Sequence, residues 1–261
     1  MPPSDRLPYA VAHPAEDVLI DGVLFDLDDT LIDTAAAMHL AGAAAAAVLW
    51  PDADPQRLAI AGVRFRSDPG GFFGAYTRGE LTFAAMRAAR IADLGAWLGA
   101  ADGQVARAAF DAAYEPAFVA ALQTFKDAPA CLTALQDNGI RIGLLTNSGA
   151  DYTAAKLRHT SLAGVTDVVC TRDTLGFGKP DARAFHEACR QLGTDPARTL
   201  HIGDELHADP LGAVGAGLRA AWLVRDGALD ESVRAEVTRR GIAVIDTLEV
   251  VRPGRLGMRL S

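Results

Sequence analysis

The sequence predicts an α/β fold, a doubly wound parallel sheet interrupted near its start by an all-helical insert. Three observations carry this expectation. After residue 140, short apolar runs rich in branched side chains alternate with helix-length segments, the pattern of a parallel sheet covered on both faces. A similar run, VLIDGVLFD at residues 18–26, stands alone ahead of them. Between the two, alanine-rich helical stretches follow one another with no strand among them.

Taken in order, residues 1–17 carry an acid at Asp5 and prolines at 2, 3 and 8. They read as an arm before the first strand, without the charged-then-apolar order of a secretory signal. The strand over 18–26 ends abruptly in a cluster of acids. Helices are expected over 34–49, 55–63, 80–94 and 102–122. Met38, Ala41, Ala45, Val48 and Leu49 recur at helical spacing, and Pro51, the Asp68-Pro69-Gly70-Gly71 run and Gly99 break the series. From Phe125 the alternation begins, with a helix over 130–138 closed by Gly139 and a strand over 140–146. Strands follow over 167–171, 199–203, 219–224 and 242–245, separated by helices over 152–159, 181–192, 210–216 and 230–239. The implied organisation is a core of residues 18–33 and 124–261 and a helical insert of residues 34–123.

Composition narrows the function classes. Half of the 261 residues are apolar and 22% are charged, which suffices for a sizeable core without staples. Cys131, Cys170 and Cys189 form no close pair and have no histidine at metal-ligand spacing, which disfavours a disulfide framework and a zinc site and points to a reducing, cytoplasmic setting. A net charge of −8 with only three lysines argues against a surface built for nucleic acid. The most apolar stretch, residues 35–50, is shorter than the roughly 18 residues a membrane span requires. Oligomeric state is not specified by any of these features.

In a parallel sheet with helices on both faces, chemistry collects at the carboxyl ends of the strands. Four such ends carry unusual polar residues: FDLDDTL at 25–31, LLTNS at 144–148, GFGKPD at 176–181 and GDELHAD at 203–209. A nucleotide-binding P-loop is excluded at Gly178-Lys179, because Pro180 stands where a Ser or Thr is needed. Each motif alone is weak, but four in this order resemble the haloacid dehalogenase superfamily of phosphatases and related phosphoryl-transfer enzymes. The resemblance implies a Rossmann-like core, and the insert is similar to the helical cap of the superfamily's first structural subclass.

The resemblance implies a role for each motif residue. Asp26 takes the position of the nucleophile, able to form an aspartyl-phosphate. Asp28 matches the general acid and base, which protonates the departing oxygen and then deprotonates the attacking water. Dehalogenases proper and phosphonate-cleaving members lack that second carboxylate, so its presence favours phosphate esters. Thr146 and Lys179 match the groups that hold the phosphoryl oxygens, with amides near Leu27, Asp28 and Asn147 completing the cradle. Asp204 and Asp209 form the acidic fourth motif. With Asp26 and the Asp28 carbonyl they imply a Mg²⁺ site, Asp209 standing behind the direct ligands. Crowding these carboxylates without a cation would oppose folding on electrostatic grounds alone. Asp29 reads as a turn residue, Thr30 as a loop holder, and His207 and Glu205 as surface side chains. Arg64, Arg66, Arg87 and Arg90 of the insert read as a solvated face, with a reach to an anionic substrate as the alternative. The implied substrate is a small phosphorylated metabolite. A phosphomutase of the same superfamily shares the first motif and stays open. A phospho-accepting receiver module shares the acids, the Thr and the Lys but needs neither Asp28 nor the insert.

Overall fold

The computed structural model describes residues 20–100, 107–166, 168–227 and 229–251 of the chain. The expected N-terminal arm and the start of the helix expected over 102–122 lie outside the described residues. Six parallel strands form one sheet in the order β3-β2-β1-β4-β5-β6. They are β1 (Gly22–Phe25), β2 (Arg141–Thr146), β3 (Val168–Thr171), β4 (Thr199–Gly203), β5 (Arg219–Leu223) and β6 (Ala243–Ile245). The chain winds outward from β1 in both directions, so β1 lies between β2 and β4 at the point where strand order reverses.

Alternation along buried strands explains how both faces are covered. Val23 and Phe25 of β1 pack with Ile142, Leu144 and Ile202 against Cys131, Leu132 and Leu135 of helix α6, Ala128–Asp137. Leu24, between them, joins Leu145 and Cys170 on the opposite face, against Phe185, Ala188 and Leu192 of helix α9, Ala182–Leu192. Phe25 and Leu24 are both fully buried, and truncating Phe25 to Ala costs about 3–5 kcal/mol.

The insert contains α1 (Thr34–Leu49), α2 (Pro55–Ser67), α3 (Phe72–Thr77), α4 (Phe83–Trp97) and α5 (Arg107–Ala121). Alanines 37, 41 and 45 face inward on α1, and α1 and α2 approach at backbone distance. A methyl group at Gly62 would stand 1.7 Å from the His39 carbonyl oxygen, and one at Gly42 2.8 Å from the Gly62 Cα, so only glycine permits this crossing. Asp33 caps α1 by accepting from the Ala36 N–H at 2.9 Å, and Thr82 caps α4 in the same way.

The remaining helices are α7 (Ala150–Arg158), the short α8 (Arg172–Leu175), α10 (Gly212–Gly215) and α11 (Glu231–Arg239). Several elements differ from expectation. The first strand is shorter than 18–26, with Asp21 instead forming an exposed ion pair with Arg198 at 2.5 Å. Helix α3 forms directly after the Asp68–Gly71 break, where Asp68 accepts from the Phe73 N–H at 2.7 Å. Asp181, the first residue of the helix expected over 181–192, is instead the cap of α9. The helix expected over 210–216 begins earlier, as a π-helical turn at His207–Leu211 that runs into α10. Cys131, Cys170 and Cys189 are buried, and no described helix is long and apolar enough to cross a membrane.

Candidate active site

Register brings three of the four motifs to one level. Phe25 of β1 pairs with Leu144 of β2 and Ile202 of β4, so Asp26, Thr146 and Asp204 emerge within two residues of the same rung. Lys179 arrives from the loop between α8 and α9 and is fastened there by Asn147. The Asn147 side chain donates to the Lys179 carbonyl and accepts from the Lys179 N–H, both at 2.8 Å. This reciprocal pair ties the end of β2 to the lysine loop.

The Lys179 ammonium lies 2.7 Å from Asp26 Oδ1 and 2.6 Å from Asp209 Oδ1. Asp209 is completely buried, and each of its oxygens is committed. Oδ1 also meets His201 Nε2 at 2.8 Å, and Oδ2 accepts from the Glu205 N–H at 2.9 Å. Asp204 accepts from the Thr30 hydroxyl at 3.0 Å through Oδ1, while its carbonyl accepts from the Trp222 indole at 2.8 Å. Thr146 is buried, and its hydroxyl accepts from the Ser148 N–H at 3.1 Å. Asp28 Oδ1 accepts from the Thr34 hydroxyl at 2.6 Å and from the Lys156 ammonium at 2.5 Å.

Electrostatics divide the carboxylates into two kinds. Burial, aided by the neighbouring Asp209, Asp204 and Asp28, holds Asp26 well above the usual carboxylate range despite Lys179. Burial together with Asp209 and Asp29 pushes Asp204 up to about 7. Asp209 behaves oppositely, because Lys179 and His201 overcome its burial and hold it well below the usual range. Burial likewise works against the Lys179 charge, yet Asp209 and Asp26 raise it above an ordinary lysine. Burial lowers His201 although Asp209 works against it, and its Nε2 donates to the Asp209 carboxylate. One oxygen from each of Asp26, Asp204 and Asp209 lies within 4.8 Å of the others. Three carboxylates therefore face one ammonium. Asp26, which shares Lys179 with Asp209, and Asp204 present an all-oxygen donor set of the type that Mg²⁺ selects.

The profile of the haloacid dehalogenase-like hydrolases matches residues 20–217. The chain is a haloacid dehalogenase-like hydrolase. This hydrolase is 32% identical over 135 residues to a glyceraldehyde 3-phosphate phosphatase of Methanothermobacter thermautotrophicus, covering 51% of this chain and 59% of that protein. It is 35% identical over 101 residues to a phosphoserine phosphatase of Thermus thermophilus, covering 39% and 41%. It thus spans about half the length of these curated relatives. Among solved structures, the HAD-hydrolase YfnB of Bacillus subtilis superposes with a TM-score of 0.68 at 23% identity, covering 88% of this chain and 96% of that one. An L-2-haloacid dehalogenase of Xanthobacter autotrophicus superposes with a TM-score of 0.66 at 19% identity, covering 93% and 100%.

Other side chains of this haloacid dehalogenase-like hydrolase fall where the sequence did not indicate. Arg87 and Arg90 are buried inside the insert instead of forming a solvated face. Arg87 lies 4.3 Å from the Tyr114 ring centre and pairs with Asp111 at 2.9 Å, and Arg90 lies 4.4 Å from the Phe65 ring centre. Arg64 pairs with Asp93 at 2.9 Å, and Arg66 reaches the core to pair with Asp29, which stands at φ 56°. Glu205 and His207 are exposed, as expected. His201, Thr34, Ser148 and Lys156 were not singled out as site residues. For His201 the available signal was a histidine in an otherwise apolar strand, and for Lys156 the scarcity of lysine.

Proposed function

We propose that the chain is a Mg²⁺-dependent phosphatase that hydrolyses a small phosphorylated metabolite through an aspartyl-phosphate on Asp26. The observation that carries this reading is the second carboxylate: Asp28 stands two residues past the Lys179-bound Asp26, with one oxygen anchored by two donors. Hydrolysis of a phosphate ester needs an attacking oxygen, neutralised charge and a proton for the leaving oxygen.

In the first half-reaction an Asp26 oxygen forms a bond to phosphorus, the ester P–O bond breaks, and the leaving oxygen takes a proton from Asp28 to depart as an alcohol. In the second, water gives a proton to Asp28 as its oxygen bonds to phosphorus, the P–O bond to Asp26 breaks, and inorganic phosphate leaves. Lys179, the Thr146 hydroxyl and the amides of Leu27, Asp28 and Asn147 hold the phosphoryl oxygens. Asp26, Asp204 and the Asp28 carbonyl are the residues to hold Mg²⁺, which when bound supplies the positive charge this carboxylate cluster lacks. Asp209 fastens Lys179 and the Glu205 turn behind them.

The relatives named as phosphatases of glyceraldehyde 3-phosphate, phosphoserine and ribulose 1,5-bisphosphate support a small phosphorylated substrate. Residues 34–123 act as a cap over a core of residues 18–33 and 124–261. Three contacts between the two support this division: Arg66 with Asp29, Arg172 with the Thr77 carbonyl at 2.8 Å, and the Phe83 and Tyr152 rings at 5.4 Å. The three buried cysteines suit a reducing cytoplasmic setting. The test is phosphate release from p-nitrophenyl phosphate, sugar phosphates and nucleotides, with Mg²⁺ or EDTA. Release that requires Mg²⁺ and is abolished in Asp26→Asn is expected; release that persists in Asp26→Asn overturns the reading.

A further inference from the structure

Lys156 is a buried ammonium that the four motifs leave without a role. It sits on α7, ten residues beyond Thr146, with its side chain 5% exposed. Burying a lysine is unfavourable unless its charge is paired and its donors are used. Both conditions are met at one place: Nζ donates to Asp28 Oδ1 at 2.5 Å and to Ser148 Oγ at 3.1 Å. Ser148 directly follows the Thr146-Asn147 pair. The second donor to the same Asp28 oxygen, the Thr34 hydroxyl at 2.6 Å, comes from the first residue of the insert. Asp28 Oδ1 is thus clamped between the core helix that follows β2 and the first helix of the insert. Among the described residues no hydrogen bond is made to Oδ2.

We propose that Lys156 is the positioning residue for Asp28, clamping Oδ1 so that Oδ2 is the oxygen that exchanges the proton with the leaving group and with water. The inference rests on the phosphatase reading and adds to it a residue and an atom. A carboxylate on a flexible loop samples several rotamers, and a general acid or base works only within hydrogen-bond reach of its proton. An ammonium fixed by burial and by Ser148 restricts that sampling. Lys156 itself touches neither nucleophile nor leaving group in this scheme; it acts through Asp28.

Leaving-group chemistry separates this role from a merely structural one. p-Nitrophenolate departs without a proton, whereas an alkoxide does not, yet both esters need Asp28 as base to release the enzyme from its aspartyl-phosphate. The experiment compares the full-length wild type, Lys156→Met, Lys156→Arg and Thr34→Val in Mg²⁺, using p-nitrophenyl phosphate and the best alkyl phosphate of the panel. In Lys156→Met, kcat on the alkyl ester is expected to fall about 100-fold, the cost of a misplaced catalytic group. On p-nitrophenyl phosphate the same variant is expected to show a rapid burst approaching one equivalent of p-nitrophenolate per enzyme, followed by slow turnover. Lys156→Arg restores part of the rate, and Thr34→Val shows the same pattern more weakly. Thr34→Val carries the test if Lys156→Met does not fold. Equal losses on both esters without a burst, or no loss, would overturn the role of Lys156 while leaving the phosphatase reading intact. A wild type that turns over neither ester overturns both.

Discussion

The carboxyl edge of the sheet and the interior of the helical insert both bury charge, and they balance it differently. Inside the insert, arginines are matched to carboxylates and aromatic faces. Arg87 pairs with Asp111 and lies over Phe65, Phe110 and Tyr114, and Arg90 lies over Phe65 with Asp68 at 3.7 Å. Burial there pushes the Tyr114 hydroxyl up to about 12, so it stays neutral. At the sheet edge, Asp26 and Asp209 share the Lys179 ammonium, and Asp204 lies beside them. The buried arginines Arg87 and Arg90 are matched within the insert, whereas the carboxylates at the sheet edge outnumber the ammonium among them. Unbalanced buried charge, more than charge itself, distinguishes the sheet edge as the candidate site.

Four experiments bear on this contrast, taken from the largest expected effect downward. Asp26→Asn removes the attacking oxygen, and phosphate release in Mg²⁺ is expected to fall about 10⁴-fold or more. A loss below tenfold would dissociate the charge imbalance from catalysis. Arg87→Met removes the cation over the Phe110 and Tyr114 rings and one of the two arginines on Asp111, Arg107 remaining at 3.0 Å, and denaturant unfolding is expected to show a loss of about 1–3 kcal/mol. If stability were unchanged, the insert's arginines would not be the structural counterpart described here.

The third experiment uses pH and metal together. An Asp raised in the folded state retains a proton that the unfolded chain has released, so metal-free stability falls as pH rises. For Asp204 that window runs from its ordinary 3.8 to about 7, and Asp26, raised by burial, adds a slope of the same sign. His201, lowered by burial, gives the opposite slope below its ordinary 6.5. The clean comparison is therefore between about pH 6.5 and 8. In EDTA the thermal midpoint is expected to drop across that interval, and the stabilisation by Mg²⁺ to grow. A Mg²⁺ effect that shrinks with pH would contradict this. Finally, Arg66→Ala removes the partly exposed pair with Asp29 and is expected to cost less than about 1 kcal/mol in denaturant unfolding. A larger loss would make the insert's stability depend on the core more than the other contacts suggest.

Much of the fold was legible because strand ends are written locally. An apolar run followed at once by Asp26, or by Asp204, marks both the strand and its reactive end, and β4 begins and ends where expected. Helix α3 was missed because the Asp68–Gly71 break hides a left-handed turn at Gly71 that restarts the helix at once. Asp26, Asp28, Thr146, Lys179, Asp204 and Asp209 share short motifs, which made them visible as a set. Lys156 was not visible because only tertiary proximity joins it to Asp28, and Thr34 and His201 because they meet Asp28 and Asp209, six and eight residues away, only once the turns between them form. Lys156 is 128 residues from its carboxylate partner. Arg87 was misread because a helix-borne arginine reads as solvated until Phe65, Phe110 and Tyr114 close around it.

The central claim is that Asp26 carries the phosphoryl group. The measurement that tests it most directly is acid quench of the enzyme turning over p-nitrophenyl phosphate in Mg²⁺, followed by peptide mass mapping. The expected result is one phosphoryl group on the peptide that contains Asp26, absent in EDTA and absent in Asp26→Asn. A phosphoryl group on any other residue, or steady turnover by Asp26→Asn, would contradict the account.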